Sequence, residues 1–233
     1  MKFAAIAIML PTAISGFAFA PATGRAFSTS LNAGSIVYYS TSTGNTETVA
    51  TYIKDAVGCG LEDIGDASEA EIKGYDSLIV GAPTWHTDAD TQRSGTAWDD
   101  FLYDTLPNID MTGKKVAVFG MGDQQVRTVG RWDINPNHPP TSLGDVNSPY
   151  LSHQQQQYGD NYCDAAGELY DLFSAKGCTM FGLTSTDGYE HTSSKAELDG
   201  KFVGLLMDED NQYELSEGRA KAWVAQLKEE GFF

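Results

Sequence analysis

The sequence predicts an α/β fold, a parallel sheet buried between two layers of helices. Short apolar runs recur at Ile36 to Tyr39, Leu61 to Ile64 (the weakest), Leu78 to Ala82, Val116 to Gly120 and Thr179 to Leu183. Amphipathic segments with helical spacing alternate with them, and strands buried on both faces that alternate with helices pack as a parallel sheet covered on each side. The 233 residues show no internal repeat and suffice for one such domain plus an extension.

The first run leads into Ser40-Thr41-Ser42-Thr43-Gly44-Asn45-Thr46-Glu47-Thr48, and then into a helix with Val49, Ile53, Ala56 and Val57 on one face. A strand, a turn of small hydroxyl residues and a helix make an anion cradle. The first amides of the helix lack backbone partners, the helix dipole adds partial positive charge, and the hydroxyls donate further bonds. No Lys or Arg lies between Ser40 and Tyr52, so any phosphate is held by neutral donors. That suits a monophosphate better than a triphosphate with its metal. The stretch is neither a Walker loop nor G-x-G-x-x-G, and a Ser/Thr-rich turn is also an ordinary helix cap.

The third run opens onto Pro83-Thr84-Trp85-His86-Thr87-Asp88-Ala89-Asp90. Trp85 either stacks on a flat ligand or covers the helix below. Trp98, Phe101, Leu102 and Thr105 follow with helical spacing. The fourth run ends in Gly120-Met121-Gly122-Asp123, where glycines permit close backbone approach and the acid can accept from a ring N–H. Taken alone, that tetrad is also a common turn. Helical patterns over Tyr162, Ala166, Leu169 and Phe173, and over Ala220, Trp223, Val224 and Leu227, complete the body. Ligands of such sheets bind beyond the carboxyl ends of the strands where strand order reverses. The loops after strands one, three and four are therefore the candidate walls of a site.

The formal net charge is −17, which disfavours nucleic acid and anionic membranes and favours basic protein partners. Cys59, Cys163 and Cys178 have no C-x-x-C spacing, and His86, His138, His153 and His191 make no ligand pattern. Neither a disulfide framework nor a zinc or iron–sulfur site is expected, and a reducing compartment fits.

Residues 1–34 read as a presequence. Lys2, the apolar Phe3 to Leu10 and the small residues near Ala18 have a signal-peptide layout; Pro21 to Gly34, with Arg25 and no acid, read as a transit segment. Gly16-Phe17-Ala18-Phe19-Ala20-Pro21 resembles the cleavage motif of two-part plastid presequences in algae. The expected destination is the chloroplast stroma, with ordinary secretion as the alternative. Removal would leave 13 basic and 32 acidic residues, a net −19, because Lys2 and Arg25 are the only charges before Ser35.

Residues 35–233 resemble flavodoxin of the long-chain, algal type. The motifs are Thr41 to Thr46, Pro83-Thr84-Trp85, Arg93-Ser94-Gly95-Thr96-Ala97-Trp98, Gly120 to Asp123, Asp199 to Leu205 and Asp208-Glu209-Asp210-Asn211. The resemblance, rather than any derivation from periodicity, implies a three-layer fold with a five-stranded parallel sheet of order 2-1-3-4-5. It implies an FMN cofactor in an electron carrier that is not an enzyme and most simply a monomer. Thr41, Ser42, Thr43, Gly44, Asn45 and Thr46 would hold the phosphate. Pro83, Thr84, Trp85, His86 and Thr87 would form the second loop, with Trp85 on one face of the ring and Tyr158 on the other. Met121, Gly122, Asp123, Asn161 and Cys163 would border the pyrimidine end, partly through backbone atoms, and Asp187 would lie near the ribityl chain. His86 stands where the family commonly has Asn or Gly, and the peptide there reorients when the flavin is reduced; a non-Gly residue disfavours the positive-φ state. A simple solvent-facing histidine is the plainer reading.

The family has about three residues between the Gly-x-Gly-Asp turn and the stacking Tyr; here Gln124 to Gln157 intervene. The insertion, residues 126–156, reads as a docking loop, a surface excursion or a translated in-frame intron. As implied partners, photosystem I would donate and ferredoxin–NADP reductase would accept, the carrier replacing ferredoxin when iron is scarce. A flavodoxin-like NAD(P)H:quinone reductase and a flavin-free α/β binding module are the competing functions.

Overall fold

The computed structural model of the chain describes residues 34–124 and 159–233. The segment expected to be a presequence, up to residue 33, the segment read as an insertion, 126–156, and Tyr158 lie outside the described residues.

The elements, in chain order, begin with β1 (Ser35–Tyr39), α1 (Asn45–Val57), β2 (Gly60–Asp63), α2 (Glu69–Gly74) and β3 (Ser77–Pro83). There follow α3 (Ala97–Asp100), running into a π-helical turn at Phe101–Thr105, then β4 (Lys115–Met121), α4 (Asp164–Ala175) and β5 (Thr179–Phe181). The chain closes with β6 (Thr184–Ser185), β7 (Glu197–Leu198), β8 (Lys201–Phe202), β9 (Gly204–Met207) and α5 (Glu209–Glu229). The main sheet is parallel, with the expected order β2-β1-β3-β4-β5.

Alternation along the strands builds two apolar layers. Ile36, Tyr38, Leu78, Val80, Val116 and Val118 face α2, α3 and α4, meeting Ile72, Trp98, Phe101 and Leu169. Val37, Ile79, Ala117 and Phe119 face the opposite way, onto Val49 and Ile53 of α1 and Trp223 and Leu227 of α5. This two-sided burial is why the central strands read as unbroken apolar runs. At Gly81 the Phe119 ring lies so close that an added Cβ would sit 2.1 Å from it.

One expectation is corrected. The fifth strand is not continuous from Thr179 to Leu183. β5 pairs only with Lys115, Val116 and Ala117, and β9 takes over beside Val118 to Met121. Between them the chain makes a small antiparallel sheet, β6-β8-β7. Its β7–β8 turn places Asp199 at φ 52 and Gly200 at φ 74, the positive-φ pair that a two-residue hairpin requires.

Strand order reverses between β1 and β3, so the carboxyl ends of β1, β3 and β4 open onto one crevice. Residues 124 and 159 lie side by side: a Cβ on Gly159 would lie 3.1 Å from the Gln124 carbonyl oxygen. Among the described residues, no helix is long and apolar enough to cross a membrane.

Candidate functional site

The crevice starts at the head of α1. Gly44, at φ 96, precedes the helix and leaves its first amides without a side-chain cap. Side-chain caps are present at Ser68 on α2, Thr96 on α3 and Asp208 on α5; α4 has none from Cys163, but its Ala165 amide donates to Thr84 Oγ1. Thr41 Oγ1 instead accepts the Gly44 amide at 3.0 Å, closing the turn. Thr46 is 1% exposed, and its hydroxyl has no hydrogen-bond partner among the described residues. A buried hydroxyl left unpaired costs about 1–3 kcal/mol. An unpaired buried hydroxyl beside an uncapped helix start fits an anion, and the absence of a Lys or Arg among the described wall residues fits one phosphate group.

The wall continues through Thr43, Asn45, Pro83, Thr84, Trp85, Met121, Gly122 and Asp123. Trp85 is 48% exposed, a flat apolar face unclaimed by the core. Its backbone N–H and that of His86 both donate to the Arg93 carbonyl, at 3.0 and 3.1 Å. The His86 side chain is exposed, yet its Nδ1 lies 2.7 Å from the Gln92 carbonyl oxygen. Solvent exposure thus holds for His86, but the ring is fastened.

The third loop is backed by α4. Gly122 packs directly on the backbone of Cys163; an added Cβ would be 2.7 Å from the Cys163 amide nitrogen. Cys163 sits at φ 54 immediately before α4. Its thiol is fully buried, donates towards the Met207 carbonyl and is pushed well above the ordinary range by burial. Asn161 Nδ2 donates to Asp88 Oδ1, and its Oδ1 accepts the Asp88 amide, tying the α4 approach to the Trp85 loop.

The expected residues therefore divide. Thr43, Asn45, Thr46, Pro83, Thr84, Trp85, Met121, Gly122 and Asp123 line one cleft. Thr41, Ser42 and Gly44 shape the α1 turn, His86 and Thr87 continue the Trp85 loop, and Asn161 and Cys163 stand behind it. Asp187 is exposed in the excursion after β6, accepting the Ser185 hydroxyl at 2.8 Å, and is not on the cleft wall.

Two wall residues were not anticipated, Glu209 and Asp210 at the start of α5. Asp210 Oδ1 accepts Asn45 Nδ2 at 3.1 Å, joining α5 to the anion turn. Among the described residues, the wall carries three acids and no Lys or Arg. Asp123 responds to this crowding: burial, then the charges of Asp208 and Asp210, push its carboxyl up to about 7.

A sequence profile described as flavodoxin matches residues 37–132. The flavodoxin of Trichodesmium erythraeum (strain IMS101) is 37% identical over 198 residues, covering 83% of this chain and 95% of that protein. That of Nostoc sp. (strain PCC 7120) is 39% identical, with 83% and 95% coverage. Among solved structures, a Fusobacterium nucleatum flavodoxin bound to flavin mononucleotide superposes with a TM-score of 0.63 at 26% identity, covering 84% of this chain and 97% of that one. The cleft lies where strand order reverses, and the identity extends over nearly the full length of these relatives: the chain belongs to the flavodoxin family.

Proposed function

We propose that this protein carries single electrons on bound FMN from photosystem I to ferredoxin–NADP reductase in the plastid stroma, in place of ferredoxin. Flavodoxins are electron carriers rather than enzymes, and that part follows from family membership. The observation that carries the reading is the uncapped head of α1, with the buried Thr46 hydroxyl unpaired beside the open face of Trp85.

Bound FMN supplies the one-electron chemistry; the chain holds it and tunes it. Amides at the start of α1 and the Thr46 hydroxyl bind the phosphate. Trp85 lays its indole against the ring and excludes water from that face. Gly122 lets the backbone approach the ring edge. Asp123, with its carboxyl near 7, presents that edge with an acceptor oxygen or a protonated donor, depending on pH.

The charge of the chain sets the direction of tuning. A like charge about 10 Å away, at an effective dielectric of about 20, costs roughly 1.7 kcal/mol. That is about 70 mV on a one-electron couple. The acids on the wall, Glu209 and Asp210 together with Asp123 when it is ionised, thus disfavour an added electron and lower the potential. The same acidity steers the chain onto basic docking faces, more weakly as salt rises. The plastid location is supported by the composition of residues 1–34 and the Ala18-Phe19-Ala20-Pro21 junction.

The test uses purified holoprotein with photosystem I particles and, separately, with ferredoxin–NADP reductase and NADPH. Bleaching of the flavin absorbance by light in the first mixture and by NADPH in the second is expected, both slowed by salt. No reduction in either mixture overturns the partner assignment, and a preparation that rejects FMN overturns the carrier role. Residues 1–34 fused to a fluorescent protein should direct it to plastids; secretion of the fusion overturns the location.

A further inference from the structure

We propose that Glu168 of α4 is a positioning residue for the loop that carries Trp85 and His86, setting how tightly FMN is held and at what potential. The proposal rests on the FMN reading above.

Glu168 is 5% exposed. Its Oε1 accepts the Gln92 amide at 2.8 Å, and its Oε2 accepts the Arg93 amide at 2.9 Å. The Tyr103 hydroxyl also donates to Oε1. Burial, followed by this bond, holds the Tyr103 phenol up at about 12, so it remains a donor throughout the working range. A buried carboxylate is tolerable only when its oxygens are paired. Here two of the partners are consecutive backbone amides converging on one anion, as in the concave amide nests that bind small anions.

Those two residues hold the loop from their other side. The Arg93 carbonyl accepts the amides of both Trp85 and His86, and the Gln92 carbonyl lies against His86 Nδ1. Residues 92 and 93 are therefore struts: their amides hang from Glu168, and their carbonyls carry Trp85 and His86. Gln92 adopts φ 57, a left-handed conformation that costs a non-glycine residue free energy and persists only where surrounding bonds impose it. The convergence of the two amides on Glu168 is such a constraint. Asp164 and the Arg93 guanidinium, 4.0 Å apart and both buried, add a second contact between α4 and the same strut.

Trp85 is half exposed, so packing holds its side chain only in part. The backbone that carries the indole is held by the bond to the Arg93 carbonyl, and that residue's amide leads to Glu168. A merely structural Glu168 would lower thermal stability when altered and leave flavin affinity, potential and loop exchange unchanged.

The experiment compares full-length wild type with Glu168→Gln and Tyr103→Phe. Glu168→Gln keeps the volume but turns one oxygen into a donor facing an amide N–H, breaking one strut bond. Tyr103→Phe leaves both struts intact. Measured are the FMN Kd by fluorescence quenching, the midpoint potentials of the two one-electron steps, and amide hydrogen exchange at Trp85 and His86 in flavin-free protein. For Glu168→Gln we expect at least fivefold weaker FMN binding, at least tenfold faster exchange at both amides, and shifted potentials. Tyr103→Phe should stay within twofold of wild type. A folded Glu168→Gln protein with wild-type Kd, exchange and potentials overturns the proposal. Should that variant fail to fold, wild type alone decides. The amides of Trp85, His86, Gln92 and Arg93 should open as one unit with a common exchange free energy. Exchange at Trp85 and His86 a hundredfold faster than at Gln92 and Arg93 overturns it. Wild type that fails to bind FMN refutes the functional reading instead, and the exchange data still judge the strut.

Discussion

Replacing Thr46 by valine should change the flavin-free and flavin-bound proteins in opposite directions. The side chain is 1% exposed, and its hydroxyl has no partner among the described residues. Valine keeps the β-branched shape and removes only the polar atom. In flavin-free protein that relieves an unsatisfied buried donor, a gain of about 1 kcal/mol. In the complex it deletes a bond to a charged phosphate oxygen, a loss of about 1.5–3 kcal/mol. The two effects add in the binding free energy, about 2.5–4 kcal/mol, or roughly a 60- to 700-fold rise in Kd. Quenching of flavin fluorescence measures it, with riboflavin as the control. Riboflavin lacks the phosphate and should bind Thr46→Val and wild type alike. Denaturant unfolding of flavin-free protein completes the assay. An FMN Kd within twofold of wild type, or an equal loss for riboflavin, refutes the assignment of Thr46 to the phosphate.

Further outcomes follow from the same cleft. The Asp123 carboxyl, ordinarily at 3.8, is pushed up to about 7 by burial and then by Asp208 and Asp210. Between those values the folded chain keeps a proton that the unfolded chain has released. The contribution of Asp123 to stability is therefore present at low pH and lost as pH rises through about 7. Asp123→Asn should flatten this part of the profile, read by unfolding flavin-free protein at pH 5 and pH 8; an unchanged slope refutes the origin given. Gly122→Ala places a Cβ 2.7 Å from the Cys163 amide nitrogen, a backbone atom that cannot swing away. A loss of about 1–3 kcal/mol is expected, and a loss below about 0.5 kcal/mol in denaturant unfolding would contradict the packing. Because Gln124 and Gly159 already touch, deleting residues 126–156 should preserve the fold and FMN binding; circular dichroism and fluorescence titration check this.

Much of the architecture was readable from local pattern. Runs such as Leu78 to Ala82 are apolar at every position because both faces of β3 are covered. The turn from Thr41 to Thr46 announced its chemistry through small hydroxyl residues, a glycine and the absence of a cation. The motif Arg93 to Trp98 also has a local cause. The Asp99 carboxylate accepts the Ser94 amide and hydroxyl and the Gly95 amide, while Thr96 caps α3. The hairpin at Asp199-Gly200 carried a usable signal too, but strands of two residues have no periodicity from which to be recognised.

What the sequence determined by itself was the layer order, the three loops that meet, and the neutral character of the anion turn. These depend on spacing and residue type within a few positions. Tertiary structure alone decided which acids face the cleft and what steadies the aromatic loop. β9 lies beside the second half of β4, and that pairing brings Glu209 and Asp210 to the wall. Glu168 reaches amides 75 and 76 residues earlier in the chain. No local rule distinguishes such a carboxylate from a solvated one, because its partners exist only once helix and loop have packed.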